Sequence, residues 1–137
     1  MKPLTAEWID KAESDFAVME WESRVRKHPA FDVVCFHAQQ CVEKYLKARL
    51  CEADFEAGRL HDLVALLERV LACEPLWEVF RADCAYLSDF AVAYRYPGES
   101  SSREQSRDAV KRCRRFRLVA RHTLGVREDP DPRTGDS

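Results

Sequence analysis

The sequence predicts an all-α protein, an antiparallel, up-and-down bundle of four to five helices. Two observations predict it. The 137 residues hold only 4 Gly and 6 Pro, and these fall at the start, between periodic segments or in the tail. Apolar residues recur with the 3.6-residue period of a helix, and no stretch alternates as a half-buried strand would. At 46% hydrophobic and 34% charged residues, the balance is that of a soluble globular domain with enough chain for one core.

Each helix has its own signals. Thr5 is expected to cap the first, whose apolar positions Trp8, Ile9, Ala12, Phe16 and Met19 share one face. It ends around Lys27, before His28-Pro29. The second helix runs from about Ala30 to about Ala53. After a loop containing Gly58, Asp62 caps a third helix with Leu63, Leu66, Leu67 and Val70 on one side. Pro75 suits the first turn of a fourth helix bearing Leu76, Phe80, Cys84, Leu87, Phe90 and Tyr94. Pro97 and Gly98 stop it near Tyr96. A capping box, Ser101-x-x-Glu104, opens the fifth helix. Residues 1–124 thus form one helical domain, and residues 125–137, polar and proline-bearing, read as a disordered tail.

Several chemistries find no signature. The glycines are isolated, so there is no Gly-rich phosphate loop, and no cofactor is expected. The four histidines make no H-x₃-H pair, and the six cysteines are wrongly spaced for zinc, so no metal is expected either. Charge interrupts every apolar run, which leaves no membrane span or export signal. The cysteines fall mostly at apolar helical positions, as free thiols of a reducing, cytoplasmic protein do.

The net charge of −2 conceals an asymmetry, because the segment from Arg103 to Thr123 holds eight Lys/Arg against Glu104 and Asp108. A second concentration lies in the stretch HAQQCVEKYLKARL. On a helix, His37, Gln40, Lys44 and Lys47 fall within an arc of about 80°, with Glu43 beside them. Such a stripe is read either as the solvated side of a bundle helix or as an anion-binding surface. On the second reading, Arg95 of the Tyr94-Arg95-Tyr96-Pro97 corner converges with the stripe into one pocket, supported by Glu43, His61, Asp62, Tyr94 and Tyr96. Glu43 then pairs locally with Lys44 or Lys47, or reaches across to Arg95.

Three pieces of sequence in this order, HAQQCVEKYLKA at 37–48, LHDL at 60–63 and YRYPG at 94–98, resemble the HEPN domain of prokaryotes. The likeness covers about residues 5 to 124. It implies a small all-α bundle that forms a homodimer, is often encoded beside a minimal nucleotidyltransferase, and binds nucleotide or RNA. Many members are RNA-cleaving toxins held in check by that partner. Their ribonucleases use an Arg, four to six residues and then a His, with the motifs of two protomers facing each other. Here Arg117-Leu-Val-Ala-Arg-His122 is similar to that motif, and so is Arg115 with six residues before His122. Arg115 and His122 lie about 20° apart on a helix, whereas Arg117 and His122 diverge by about 140°. The residue after the Arg is Phe116 or Leu118, where the family's ribonucleases carry a polar side chain.

Two functions follow. One is a nucleotide- or RNA-binding, toxin-like HEPN protein with metal-independent endoribonuclease chemistry and a minimal nucleotidyltransferase as partner. The other is a non-catalytic, dimeric helical module that docks a nucleotidyltransferase or another protein.

Overall fold

A computed structural model describes residues 1–92 and 95–127. Among them there are five α-helices and no strand: α1 (Pro3–Ser23), α2 (Phe31–Glu52), α3 (Leu63–Val70), α4 (Arg81–Ser88) and α5 (Arg103–Thr123). A 3₁₀ segment, Pro75–Phe80, runs directly into α4. None of these helices is long and apolar enough to cross a membrane.

Contacts between helices set their directions. Thr5 meets Glu52 and Asp15 meets His37, so α1 and α2 run antiparallel. Glu20 meets Arg114 and Glu13 meets Arg117, so α1 and α5 do too. Asp83 meets Arg112 while the Tyr86 hydroxyl donates to the Gln105 carbonyl, which makes α4 antiparallel to α5. The chain therefore alternates up and down through α1, α2, α4 and α5, with the short α3 laid against α2 and α4.

The centre of the molecule is α2, packed on every other helix but contacting α1 and α5 most. Its Val34, Ala38, Cys41, Val42, Tyr45 and Leu46 are buried against Ile9, Ala12 and Met19 of α1 and Ala109, Cys113, Phe116 and Ala120 of α5. Burying one such aliphatic side chain contributes about 1.5 to 3 kcal/mol. Across the bundle the rings of Trp77, Phe80 and Phe116 meet edge to face, with Phe116 centroids 5.3 Å and 5.1 Å from the other two.

Several boundaries differ from the sequence reading. The first helix ends at Ser23, with Arg24 as its C-cap, rather than around Lys27. Thr5 does not cap α1. It is buried inside the helix and donates to Glu52 Oε1 at 3.0 Å, while Lys2 is the cap residue and Pro3 fills the first turn. The Lys2 N–H also donates to Glu52, so a carboxylate from the end of α2 satisfies the start of α1. The fourth helix starts as 3₁₀ and ends at Ser88, well before Tyr96. There the Ser88 hydroxyl donates to the Cys84 carbonyl and the chain bends to bury Phe90. The α5 capping box sits one residue later than Ser101-x-x-Glu104, on Ser102 and Gln105, because Ser101 N–H is already bound by Asp32.

At its far end α5 is closed by Gly125 at φ 71°. Gly125 N–H bonds the His122 carbonyl and Val126 N–H bonds the Arg121 carbonyl, a Schellman closure that needs the left-handed glycine. Gly125–Arg127 thus belong to the helical unit, and the rest of the anticipated tail, 128–137, lies outside the described residues.

Candidate functional site

The α2 stripe divides into two groups, each tied to a neighbour. His37 and Lys44, two turns apart, both bind Asp15 of α1: His37 Nδ1 lies 2.7 Å from Asp15 Oδ1, and the Lys44 ammonium bonds Oδ2. Burial would raise the Asp15 pKa, but hydrogen bonds from His37 and Lys44 outweigh it and hold the carboxyl below its ordinary value. Gln40 donates to Gln39 at 2.7 Å and does not reach this carboxylate.

Lower on α2, Glu43 pairs with Lys47 at 3.4 Å, both nearly inaccessible, and with the exposed His61 at 3.3 Å. The Lys47 ammonium also stands 5.3 Å from the Trp8 ring. It borders a hollow of about 430 Å³ whose walls include Trp8, Cys51 and Phe55. Asp62 does cap α3, accepting from Ala65 N–H at 3.0 Å. Of the alternatives for Glu43, the geometry selects Lys47.

Arg95 stands apart from all of these. Its guanidinium donates to the Asp89 carbonyl, lies 5.4 Å from the Phe90 ring and approaches Asp32 at 3.9 Å. Asp32 opens α2, and Lys44 is twelve residues on, so about 18 Å of helix separates them. The hollow beside Arg95, about 140 Å³, is lined by Val92, Tyr96 and Glu99 and by no residue of the stripe. The convergence of Arg95 with His37, Gln40, Lys44 and Lys47 therefore does not form. Tyr94 lies outside the described residues; Tyr96 is exposed.

The two arginines singled out on α5 point to different places. Arg117 makes a bidentate pair with Glu13, at 2.8 Å and 2.6 Å, and stacks 3.9 Å over the Phe16 ring. Arg115 lies on the opposite side and bonds Asp83 of α4 at 2.9 Å, with its side chain mostly exposed. His122 is exposed and borders a hollow of about 310 Å³ with Leu118, Val119 and Val126. Helical geometry puts Arg115, not Arg117, on the His122 side.

The sequence reading missed what surrounds Arg117. Glu13 also accepts from the buried Tyr45 hydroxyl and pairs with Arg121 at 3.1 Å, joining α1, α2 and α5. Burial alone would raise the Glu13 pKa; hydrogen bonds from Arg117 and Tyr45, then the charges of Arg117 and Arg121, keep it lowered. Burial, then the Glu13 hydrogen bond, pushes the Tyr45 hydroxyl strongly up. The one available signal was an acid, Glu13, set between Ala12 and Phe16 on the apolar side of α1.

Among the described residues, no three of His, Cys, Asp and Glu gather as a metal site requires. Cys35, Cys41, Cys84 and Cys113 are buried free thiols, and Cys51 and Cys73 are half-buried. Burial raises Cys35 to about 11 and Cys84 to about 12, which suits packing rather than nucleophilic use.

A family model described as the HEPN domain matches residues 5–123. No curated protein and no solved structure matches the chain.

Proposed function

The chain belongs to the HEPN domain family, and on that premise we propose that it is an RNA-directed, toxin-like member that works as a homodimer beside a minimal nucleotidyltransferase. One observation carries this reading. The last turns of α5 expose Leu118 and Val119 beside His122 and Val126, and Leu118 is 61% exposed. An apolar strip of this kind is unfavourable in water and favourable against its own copy across a two-fold axis. Such pairing brings two imidazoles together, each with an Arg115 about two turns away on the same face.

The chemistry is transesterification, and it needs no metal. One His122 takes the proton from a ribose 2′-hydroxyl as that oxygen attacks the adjacent phosphorus. The bond to the 5′-oxygen breaks, and the other His122 protonates the leaving oxygen, giving a 2′,3′-cyclic phosphate and a 5′-hydroxyl. Arg115 stabilises the charge on the phosphoryl oxygens; with one of its five N–H donors on Asp83, others remain for phosphate. Arg117, held by Glu13 and Phe16, is a positioning residue that fixes α5 on α1.

The α2 stripe plays no part in this scheme, since Asp15 and Glu43 take up the charges of Lys44 and Lys47. That neutralisation, with the Arg117–Glu13 pair, favours a second reading in which the dimer is a non-catalytic docking module for the nucleotidyltransferase. Incubation of the purified protein with total RNA and a chelator separates them. Cleavage that disappears in His122→Ala supports the ribonuclease; intact RNA with co-elution of a co-expressed nucleotidyltransferase supports docking.

A further inference from the structure

Arginines of α5 reach acids on neighbouring helices in two ways. Arg117 and Arg114 each give two N–H groups to one carboxylate, that of Glu13 and that of Glu20. Arg112 and Arg115 instead give one N–H each to the same oxygen, Asp83 Oδ1, at 2.7 Å and 2.9 Å. A guanidinium fork gripped on two N–H groups is fully engaged inside the bundle. One held by a single N–H keeps the rest of its donors for another partner.

Asp83 is itself buried, 6% exposed, in the first turn of α4. A carboxylate there needs a counter-charge, and Arg112 supplies it: that side chain is largely covered, and its guanidinium lies 4.4 Å over the Tyr86 ring. A second cation is not required to hold α4 and the 3₁₀ segment on α5. Phe80 packs on Phe116 there, and the Tyr86 hydroxyl donates to the Gln105 carbonyl. The seam has no need of Arg115, whose side chain is 65% exposed. Two guanidiniums facing one carboxylate leave positive charge in excess, and Arg115 is the one that displays it to solvent. Asp108, one turn before Arg112, forms no ion pair with either arginine among the described residues.

An arginine without a tether on a helix surface samples many rotamers, and ordering it costs conformational entropy. One bond to a buried oxygen on a packed helix removes much of that freedom while leaving the fork open to solvent. The tether lies on the side of α5 that carries His122, about 20° around the helix and about 10.5 Å along it. A phosphoryl group drawn to that face meets a guanidinium already held in place. Electrostatic stabilisation of a transition state depends on donors set in position beforehand.

We propose that Asp83 is a positioning residue for RNA cleavage and acts through Arg115. The assignment rests on the ribonuclease reading above and extends that site to α4. Asp83 touches no reacting atom. Arg112 neutralises it and shares its oxygen, so Asp83 restrains Arg115 without taking up its charge.

Single-turnover cleavage of a defined RNA in the presence of a chelator, with circular dichroism of each protein, tests the assignment. The full chain is compared with Asp83→Asn, Arg115→Ala, the double variant Asp83→Asn/Arg115→Ala and Asp83→Glu. Asp108→Asn serves as the control, an acid of α5 that does not bind Arg115. Asp83→Asn is expected to cut about tenfold more slowly at saturating RNA, with the half-saturating concentration changed by less than about threefold. Arg115→Ala is expected to lose about a hundredfold. The double variant should lose no more than Arg115→Ala alone, because Asp83 then has nothing left to place. Asp83→Glu, which keeps the charge one methylene further out, should recover part of the rate and remain about threefold slow. Asp108→Asn should cut at the unaltered rate.

A folded Asp83→Asn protein that cuts as fast as the unaltered chain overturns the assignment and leaves the ribonuclease reading standing. A double variant slower than Arg115→Ala by a further tenfold or so assigns Asp83 to the packing of α4 and overturns it too. Equal slowing in Asp108→Asn assigns the effect to net charge, with the same consequence. If Asp83→Asn loses its helical signal, Asp83→Glu decides the matter, and full speed there counts against the proposal. No cleavage by the unaltered chain overturns both readings.

Discussion

Arg117 of α5 grips Glu13 of α1 through two parallel N–H···O bonds, 2.8 Å and 2.6 Å long. The arginine nearest to His122 in a simple motif match is therefore spent inside the bundle. The same carboxylate serves Arg121 and the Tyr45 hydroxyl, so three helices meet on one acid.

Removing that acid takes a shared carboxylate from two guanidiniums, one of them almost wholly buried, and from the Tyr45 hydroxyl. Glu13→Ala is expected to cost on the order of 2 to 4 kcal/mol in urea unfolding, toward the range seen when one partner of a buried pair is lost. A change under about 0.5 kcal/mol would mean the network is only a surface feature.

The same acids set a pH dependence. Glu13, Asp15 and Glu20 all have folded pKa values below their ordinary values of 4.5, 3.8 and 4.5. For a lowered carboxyl, the unfolded chain binds the proton first, so stability is full above the ordinary value and is lost as pH falls through the folded one. Thermal unfolding is expected to show Tm steady from pH 7 to about 5 and falling below that. Asp15→Asn should flatten part of the decline; an unchanged acid limb would remove Asp15 from the account.

How far could this have been read from the sequence? Periodicity placed all five helices, because it reflects the apolar face each must bury, and Asp62 was recognisable as a cap from its own chemistry. The early end of α4 was not, since Pro97 is a strong stop and Ser88 a weak one; the burial of Phe90 decides it. Nor was the fate of the stripe. His37 and Lys44 look alike on a helical wheel whether they face water or Asp15, and the partner is set by the register of α1 on α2. Arg95 was placed with Lys44 by analogy of charge, although twelve residues of helix keep Asp32, its neighbour, far from that turn.

Core packing offers a test independent of function. Phe116 is buried and touches both Trp77 and Phe80, joining α5 to the 3₁₀ segment. Phe116→Ala is expected to cost about 3 to 5 kcal/mol, whereas Leu76→Ala, on the same segment but fully outward, should change stability by less than about 0.5 kcal/mol. Circular dichroism during denaturation reads both.

The dimer face makes its own prediction. Leu118→Asp puts a charge into the proposed two-fold contact, while Leu118 is 61% exposed in one chain. Light scattering after size exclusion is expected to show a dimer for the unaltered protein and a monomer for Leu118→Asp, with equal helical signal. A dimer in both cases would move the interface elsewhere.

The most direct test of the account is cleavage of a defined RNA in the presence of a chelator, followed by identification of the new ends. The unaltered chain is predicted to leave a 2′,3′-cyclic phosphate, to spare a strand lacking 2′-hydroxyls, and to lose at least about a hundredfold in rate with His122→Ala. An unaltered chain that leaves the RNA whole, or a His122→Ala protein that cuts it equally fast, would contradict it.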